Sequence, residues 1–485
     1  MAFKTWAAGD QVLAADLNEN FSKVPSKVFV ASGAISANDK VILTSDGKVQ
    51  VISGVTATNG TSTSVTASGT IGSVHAAYDS VSGKVIVAYQ KNAGTTGQGC
   101  AVVGTVSGTT ISFGAEAQFN GTFTNNINVC KTGIGSSKFI VAFCNYDTSQ
   151  QGGIVVGTIS GTTITFGSVV AFNAGVATNN ISLDWDTGNS KALLVYRSTT
   201  AAIKASVVTV SGTVPTVNTA VDIATVNGQL SKTVWTGTSN VFVVAYYDGT
   251  NTNGKAVVQT VSGTSSSSGT IATFKSAAVS QSISMTYTTS AKVVIGYQLV
   301  SDTSGRAVVG TVSGTTISFG TEATFATGTI TNVALAYDAG LARVQVGYYD
   351  NTNGKVIIGT ISGTSITFGT ATTTTASASP YIDSVVYVSS GICVHVHSNS
   401  GLKAQVIGTY YTNLTSTNFL GVAQAAAADT ANCRVTTMGG FATDSGMTIG
   451  TKYYLDDAGA KSTDNTKPYY GYAVSATEIC VKMTT

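Results

Sequence analysis

The chain has 485 residues, of which 10% are charged and 43% hydrophobic, with a formal net charge of +2. That balance leaves no clustered basic surface for nucleic acid or an anionic membrane, and the apolar content is too high for a disordered chain. The 53 glycines and four prolines, among many Thr, Ser, Val and Ile residues, describe short strands joined by tight turns.

Residues 1–25 are expected to carry a short helix. DQVLAADLNENFSKV places Leu13, Leu17, Phe21 and Val24 on one helical face, with Asp10 positioned as an N-cap. A lone helix of this length is marginal in water and needs a partner, either its own domain or a larger assembly. The opening MAFKTWAAGD lacks the basic and apolar regions of a secretory signal. Residues 26–54 read as the first half of a small β domain, in which VFVASGAI alternates and Asp46-Gly47 marks a hairpin. The second half is expected at 413–485, with alternating strands at 432–437 and 478–483. Neither half has enough apolar surface to stand alone, so the chain between them reads as an insertion into one discontinuous domain.

The inserted region repeats. VVGTVSGTTISFG at 102–114 returns as VVGTISGTTITFG at 155–167, VVGTVSGTTISFG at 308–320 and IIGTISGTSITFG at 357–369. The turn serine falls at 107, 160, 211, 262, 313 and 362, a period of about 50 residues. A seventh unit keeps Ile407-Gly408-Thr409 without the serine. In phase with this marker, an apolar strand ends on Tyr89, Phe143, Tyr196, Tyr246, Tyr297, Tyr348 and, in the last unit, His397. Each unit reads as four short strands, in the sixth at 331–337, 342–348, 355–361 and 365–371. One such sheet cannot bury both faces, whereas sheets stacked around an axis can. The expected architecture is therefore all-β: a seven-bladed β-propeller over 55–412, between the domain halves and behind the N-terminal helical segment. The seventh unit lacks a clear fourth strand, and residues 55–67 are expected to supply it and remove the free edges.

The flanks carry a resemblance. Trp6, Gly9, Asp10, Leu13, Ala15, Leu17 and Asn18 follow one another as W-x-x-G-D-x-x-L-x-A-x-L-N, and this start resembles those of phage tail-fibre and virion structural proteins. The run GVAQAAAADTANCRV, with KYYLDDAGA and YYGYAVSATEICV after it, is similar to a small β module of phage structural proteins. The resemblance covers about a quarter of the chain. It implies a virion protein assembled in the host cytoplasm, attached to other virion proteins through Trp6, Leu13, Leu17 and Phe21. Such fibres are commonly homotrimers, although no coiled coil in this sequence enforces that number.

Chemistry-bearing motifs are few. His75, His395 and His397 are the three histidines, and the last two share one face of a strand in the i, i+2 relation that a metal would use. The alternative is that His397 replaces the core aromatic of the other units. GxSxG, HExxH, P-loop and dinucleotide patterns are absent, as are the S-x-D-x-G-x-T-W boxes that would resemble a sialidase. No catalysis, metal or cofactor is expected. Six cysteines show no CxxC spacing; Cys130 and Cys144 read as buried free thiols or as partners across a hairpin.

The loops between second and third strands, NYDTSQQGG at 145–153, YYDGTNTNGK at 246–255, QLVSDTSGR at 298–306 and YYDNTNGK at 348–355, combine aromatics with Asp and Asn. Rings cover the apolar face of a sugar, and carboxylates and amides bond its hydroxyls. Tyr146, Asp147, Tyr247, Asp248, Asn251, Tyr349, Asp350 and Asn351 are the candidate ligand residues. Against this stands the fact that Asp, Asn and Gly are simply what tight turns contain. The expected function is a tail-fibre or receptor-binding protein whose propeller grips a host-surface glycan or protein without catalysis. The alternatives are a capsid-decoration or head-fibre role and a glycan-cleaving propeller.

Overall fold

Each Ser-Gly-Thr repeat closes a two-residue hairpin with glycine at its first central position. Gly108, Gly161, Gly212, Gly263, Gly314 and Gly363 have φ between 57° and 61°, as a type II′ turn requires and a side chain opposes. In the computed structural model these hairpins recur along an all-β chain. The described residues are 26–481 without 53–55, 66–69, 93–96, 134–136, 147–148, 199–201, 226, 290, 376–380, 400, 412–413, 415–418, 438–439, 456–458, 464 and 466–467. No helix occurs among them; the one expected within 1–25 lies outside them.

The chain divides into two compact units: Ala57–Tyr410, and the residues on either side of it. Nine sheets form among the described residues, two in the flanking unit and seven in the central one. The first central sheet is Ile71–Asp79, Lys84–Lys91, Gln98–Ser107 and Thr110–Phe113, antiparallel in chain order. A fifth strand, Ala117–Asn120, pairs with the third beside the fourth. The expectation of four strands is amended accordingly: two short strands share the outer edge. Gly114 separates them, its N–H donating to the Val103 carbonyl at 2.9 Å. A Cβ on Gly114 would overlap the Thr162 carbonyl oxygen, in the hairpin of the next sheet. Gly167 meets Thr213, Gly269 meets Thr315 and Gly320 meets Thr364 in the same way. The glycine ending each repeat thus permits close approach of backbone to backbone at the rim.

Apolar contacts join the sheets further in. The fifth-strand Phe119, Phe172, Phe274 and Phe325 lie against Phe143, Tyr196, Tyr297 and Tyr348 of the following sheet, with ring centroids 5.2–5.4 Å apart. Room for each phenylalanine comes from a glycine on the third strand of its own sheet, Gly99, Gly152, Gly254 and Gly305. The in-phase aromatics of the sequence are therefore core residues between sheets.

The other first strands are Thr124–Lys131, Thr178–Asp186, Gly228–Trp235, Val279–Tyr287, Thr331–Asp338 and Tyr381–Ser389. Each touches the next, and Tyr381–Ser389 touches Ile71–Asp79, so the succession closes on itself. This is a β-propeller arrangement. The last sheet completes its outer edge with Thr56–Ser64, from the other end of the unit, paired with Gly401–Tyr411. Val65 N–H donates to the Leu402 carbonyl at 2.8 Å and Gln405 Nε2 to that of Gly60 at 2.8 Å. Gly60 abuts the Thr109 carbonyl as Gly114 abuts that of Thr162. The closing strand expected at 55–67 thus occupies the outer place in the last sheet.

In the flanking unit, Ser26–Val30, Asn432–Thr436, Phe419–Ala423, Lys40–Leu43 and Val49–Val51 form one sheet in that spatial order, interleaving both halves of the chain. Ile42 and Ile52 join Phe419, Leu455, Tyr470 and Ile479 in one buried cluster. Asp444 accepts from Lys40 at 3.2 Å, Lys461 at 3.0 Å and the Tyr470 hydroxyl at 3.1 Å. Burial opposes ionisation there, yet the two lysines hold the carboxyl below its usual range.

Candidate functional site

The first strand of every central sheet has a free edge towards the axis, and its unpaired N–H groups need acceptors. The neighbouring first strands supply them from one repeated position, the residue opposite the one preceding the core aromatic. His75, Asn128, Ser182, Lys232, Ser284, Ala334 and Ser384 hold it. Ser182 Oγ accepts from Thr233 N at 2.9 Å, and Ser284 Oγ accepts from Leu335 N at 3.0 Å. Asn128 Oδ1 accepts from Leu183 N at 3.2 Å, and Ser384 Oγ from Ala76 N at 3.2 Å. His75 Nδ1 takes the Val129 N–H at 3.3 Å. Accepting requires a neutral ring, and burial followed by the charge of Lys232 pushes the His75 pKa down to about 3. A bulge precedes this position in each first strand, between Asn125 and Asn128 for example.

Lys232 and Ala334 break the pattern, since neither an ammonium nor a methyl group can accept. Lys232 has no ion-pair or hydrogen-bond partner among the described residues, and burial pushes its pKa down. Two carboxyls share the axial cavity, which measures about 670 Å³ and is lined by all seven first strands. Burial raises Asp184 to about 6, although Trp235 and Trp185 N–H groups donate to it at 2.6 and 2.8 Å. Burial raises Asp383 to about 7 against its bonds from Ser398, and its Oδ2 is buried without a hydrogen-bond partner among the described residues.

The histidine pair and the cysteines hold no chemistry of this kind. His395 Nε2 bonds Gln345 Oε1 of the preceding sheet, and His397 Nε2 lies 3.4 Å from Ser62 Oγ in the closing strand. Burial pushes them to about 3 and 4. No cluster of three metal-ligating residues occurs among the described residues. All six cysteines are buried free thiols; Cys130 lies opposite Ile140 and Cys144 opposite Asn125, so these two do not face each other.

The turns between second and third strands gather at the end of the sheets opposite the point where Thr56–Ser64 begins and Gly401–Tyr411 ends. Here the Asp248 carboxylate is 3% exposed and turned onto its own loop, accepting Thr250 N at 3.0 Å and Asn251 Nδ2 at 2.8 Å. Asn251 is engaged by the same bond. Asp350 accepts Thr352 N at 3.0 Å and Asn353 N at 2.7 Å, and pairs with Lys355 at 3.4 Å. Tyr349 is buried, Tyr247 half-buried, and Tyr146 half-buried edge-on to Phe123 at 4.8 Å. Asn351 is exposed. Asp147, Trp6, Leu13, Leu17 and Phe21 lie outside the described residues.

Two features here escape a motif-based reading. Lys204, Lys255, Arg306 and Lys355 stand opposite Tyr196, Tyr246, Tyr297 and Tyr348. Each bonds a fifth-strand side chain: Asp222 at 2.5 Å, Thr273 at 2.7 Å, Thr324 at 2.6 Å and Thr373 at 2.8 Å. The spacing is 18 residues every time, a signal present in the sequence but carried by ordinary residues. The second feature lies three positions after the axial ring, where Tyr78, Trp185, Trp235, Tyr287, Tyr337 and Tyr387 recur, with Lys131 in the second sheet. The two regions differ in capacity: the turn face offers repeated donors to a polyol, and the cavity offers one polar space at the axis.

No family model and no curated protein matches the chain. Among solved structures it is similar to the β-propeller domain of Cps50 (Swd1) from Myceliophteria thermophila, at 9% identity and a TM-score of 0.46, covering 72% of this chain and 100% of that one. The Dos1 propeller is 13% identical with a TM-score of 0.45, over 73% of this chain and 95% of that one. The SapL1 lectin in complex with alpha methyl fucoside is 13% identical with a TM-score of 0.38, over 63% and 97% respectively.

Proposed function

We propose that this chain is a phage virion protein of the tail-fibre or receptor-binding type, and that its central unit is a seven-bladed propeller gripping a host-surface glycan without catalysis. The observation that carries the reading is the repeated set of basic residue and hydroxyl or carboxylate partner on the second-to-third-strand turn face. Lys204, Lys255, Arg306 and Lys355 recur there with Asp222, Thr273, Thr324 and Thr373. Charged donors with neighbouring hydroxyls suit sugar hydroxyls, and repetition around a disc turns weak sites into avidity. This face also lies away from the chain's entry to and exit from the unit. The flanking resemblance to virion proteins supplies the location, and a homo-oligomer would multiply the sites further.

The test is host adsorption. Purified protein should compete with phage for host cells, and Lys255→Ala/Arg306→Ala/Lys355→Ala should lose most of that competition while melting near the parent. Competition unchanged in the triple variant would remove the turn face from the reading. Gold-labelled antibody on intact virions reads location: label at the tail tip supports receptor binding, label over the capsid supports decoration, and no label on virions sinks the phage assignment.

A further inference from the structure

We infer that the axial cavity of the central unit binds a small hydroxylated anion, a carboxylated or phosphorylated monosaccharide in size and chemistry, with Lys232 as its charge partner. This site is separate from the turn face and does not depend on where the protein resides.

Five of the seven positions in the acceptor ring carry a side chain that accepts a neighbour's N–H, which is a structural duty. Lys232 cannot perform it; it stands half-buried on the cavity wall, without a counter-ion among the described residues. A residue that breaks a local rule without compensation marks a functional position. Asp383 breaks a second rule: Val74, Ile127, Ile181, Ile283 and Val333 fill the equivalent place, one before the ring, in five other first strands. Its Oδ2 is buried and unsatisfied, and it lines the same cavity.

The ligand's chemistry follows from these groups. The Lys131 charge acts on the Asp184 carboxyl of the same wall, which leaves Lys232 as the cation that selects an anionic group. The half-buried side chains of Ser284, Asn126 and Asn332 on the same wall select hydroxyls rather than apolar groups. A volume of about 670 Å³ admits one sugar-sized molecule with water, within the roughly 300–1,000 Å³ of small-molecule sites.

Isothermal titration of the full chain with D-glucuronate and with glucose 1-phosphate tests this, using D-glucose and inorganic phosphate as controls. Saturable binding of either sugar anion, at least tenfold tighter than both controls, is the expected result; which one binds identifies the anionic group. Lys232→Met should weaken it at least tenfold and Lys232→Arg should largely restore it, while Lys232→Met melts no lower than the parent because the unpaired charge is gone. Should that variant not fold, reductive dimethylation of the parent reads the same point, with the bound anion protecting Lys232 in a peptide map. Absence of binding by both sugar anions, binding of glucose as tight as theirs, undiminished binding in Lys232→Met, or labelling of Lys232 unaffected by saturating ligand would each overturn the inference.

Discussion

At the rim, residues 102–114 and 308–320 are identical letter for letter; near the axis, the first strands of the same two sheets read IGSVHAAYD and VSQSISMTY. The rim is constrained from two sides. Its glycines sit in left-handed turns or against a neighbour's carbonyl, and its phenylalanines fill fixed spaces over third-strand glycines, so few residues serve. The axial strands answer to a looser demand, an acceptor for one N–H, which His, Asn and Ser meet equally well. Divergence gathers where the constraint is loose, and the axial strands are where chemistry can be placed.

The comparison can be broken by substitution. Phe325→Ala empties the space between Tyr348 and Phe368 and should cost about 3–5 kcal/mol in denaturant unfolding; a loss under about 1 kcal/mol would show that the rim tolerates what its sequence avoids. Gly114→Ala drives a methyl into the Thr162 carbonyl and should cost about 1–3 kcal/mol. Near the axis the sign reverses. Ala334→Ser provides the acceptor that its position lacks, and should raise stability by about 0.5–1.5 kcal/mol, so a destabilised variant would discredit the acceptor ring.

The remaining test is a pH dependence. Asp383 is raised from 3.8 to about 7 by burial, so the folded state holds that proton more tightly than the unfolded chain. Its contribution to stability therefore declines as pH rises from about 4 to about 7 and is lowest above that window. Asp383→Asn should melt with the parent near pH 3.5 and above it at pH 8; equal melting at both would remove the buried carboxyl from the account.

Most of the architecture was legible because the rim repeats. The period, the strand ending on Tyr89 and its counterparts, and the strand at 55–67 all follow from spacing and from the need to close an edge. The fifth strand was not legible, since four residues after Gly114 carry no alternation strong enough to separate them from the fourth. The candidate site was less readable. Asp248 and Asn251 look the same in sequence whether they serve a ligand or their own turn, and only the bonds at 3.0 and 2.8 Å show that they hold the turn. Lys232 went unnoticed because one lysine in a polar strand is unremarkable until the other six sheets define what stands in its place.

The pairing of Thr56–Ser64 with Gly401–Tyr411 also sets the order of events during synthesis. A ribosome that has released the first 400 residues has made six sheets with local partners, and an outer strand waiting for a companion not yet translated. Joining ends some 340 residues apart carries a loop entropy of about 5 kcal/mol, although sheets already stacked shorten the effective search. Until that moment the nascent chain is an open arc with two bare edges, the form most exposed to pairing with another copy. Slow elongation before residue 401 should lengthen that exposed interval, while earlier pauses should matter little.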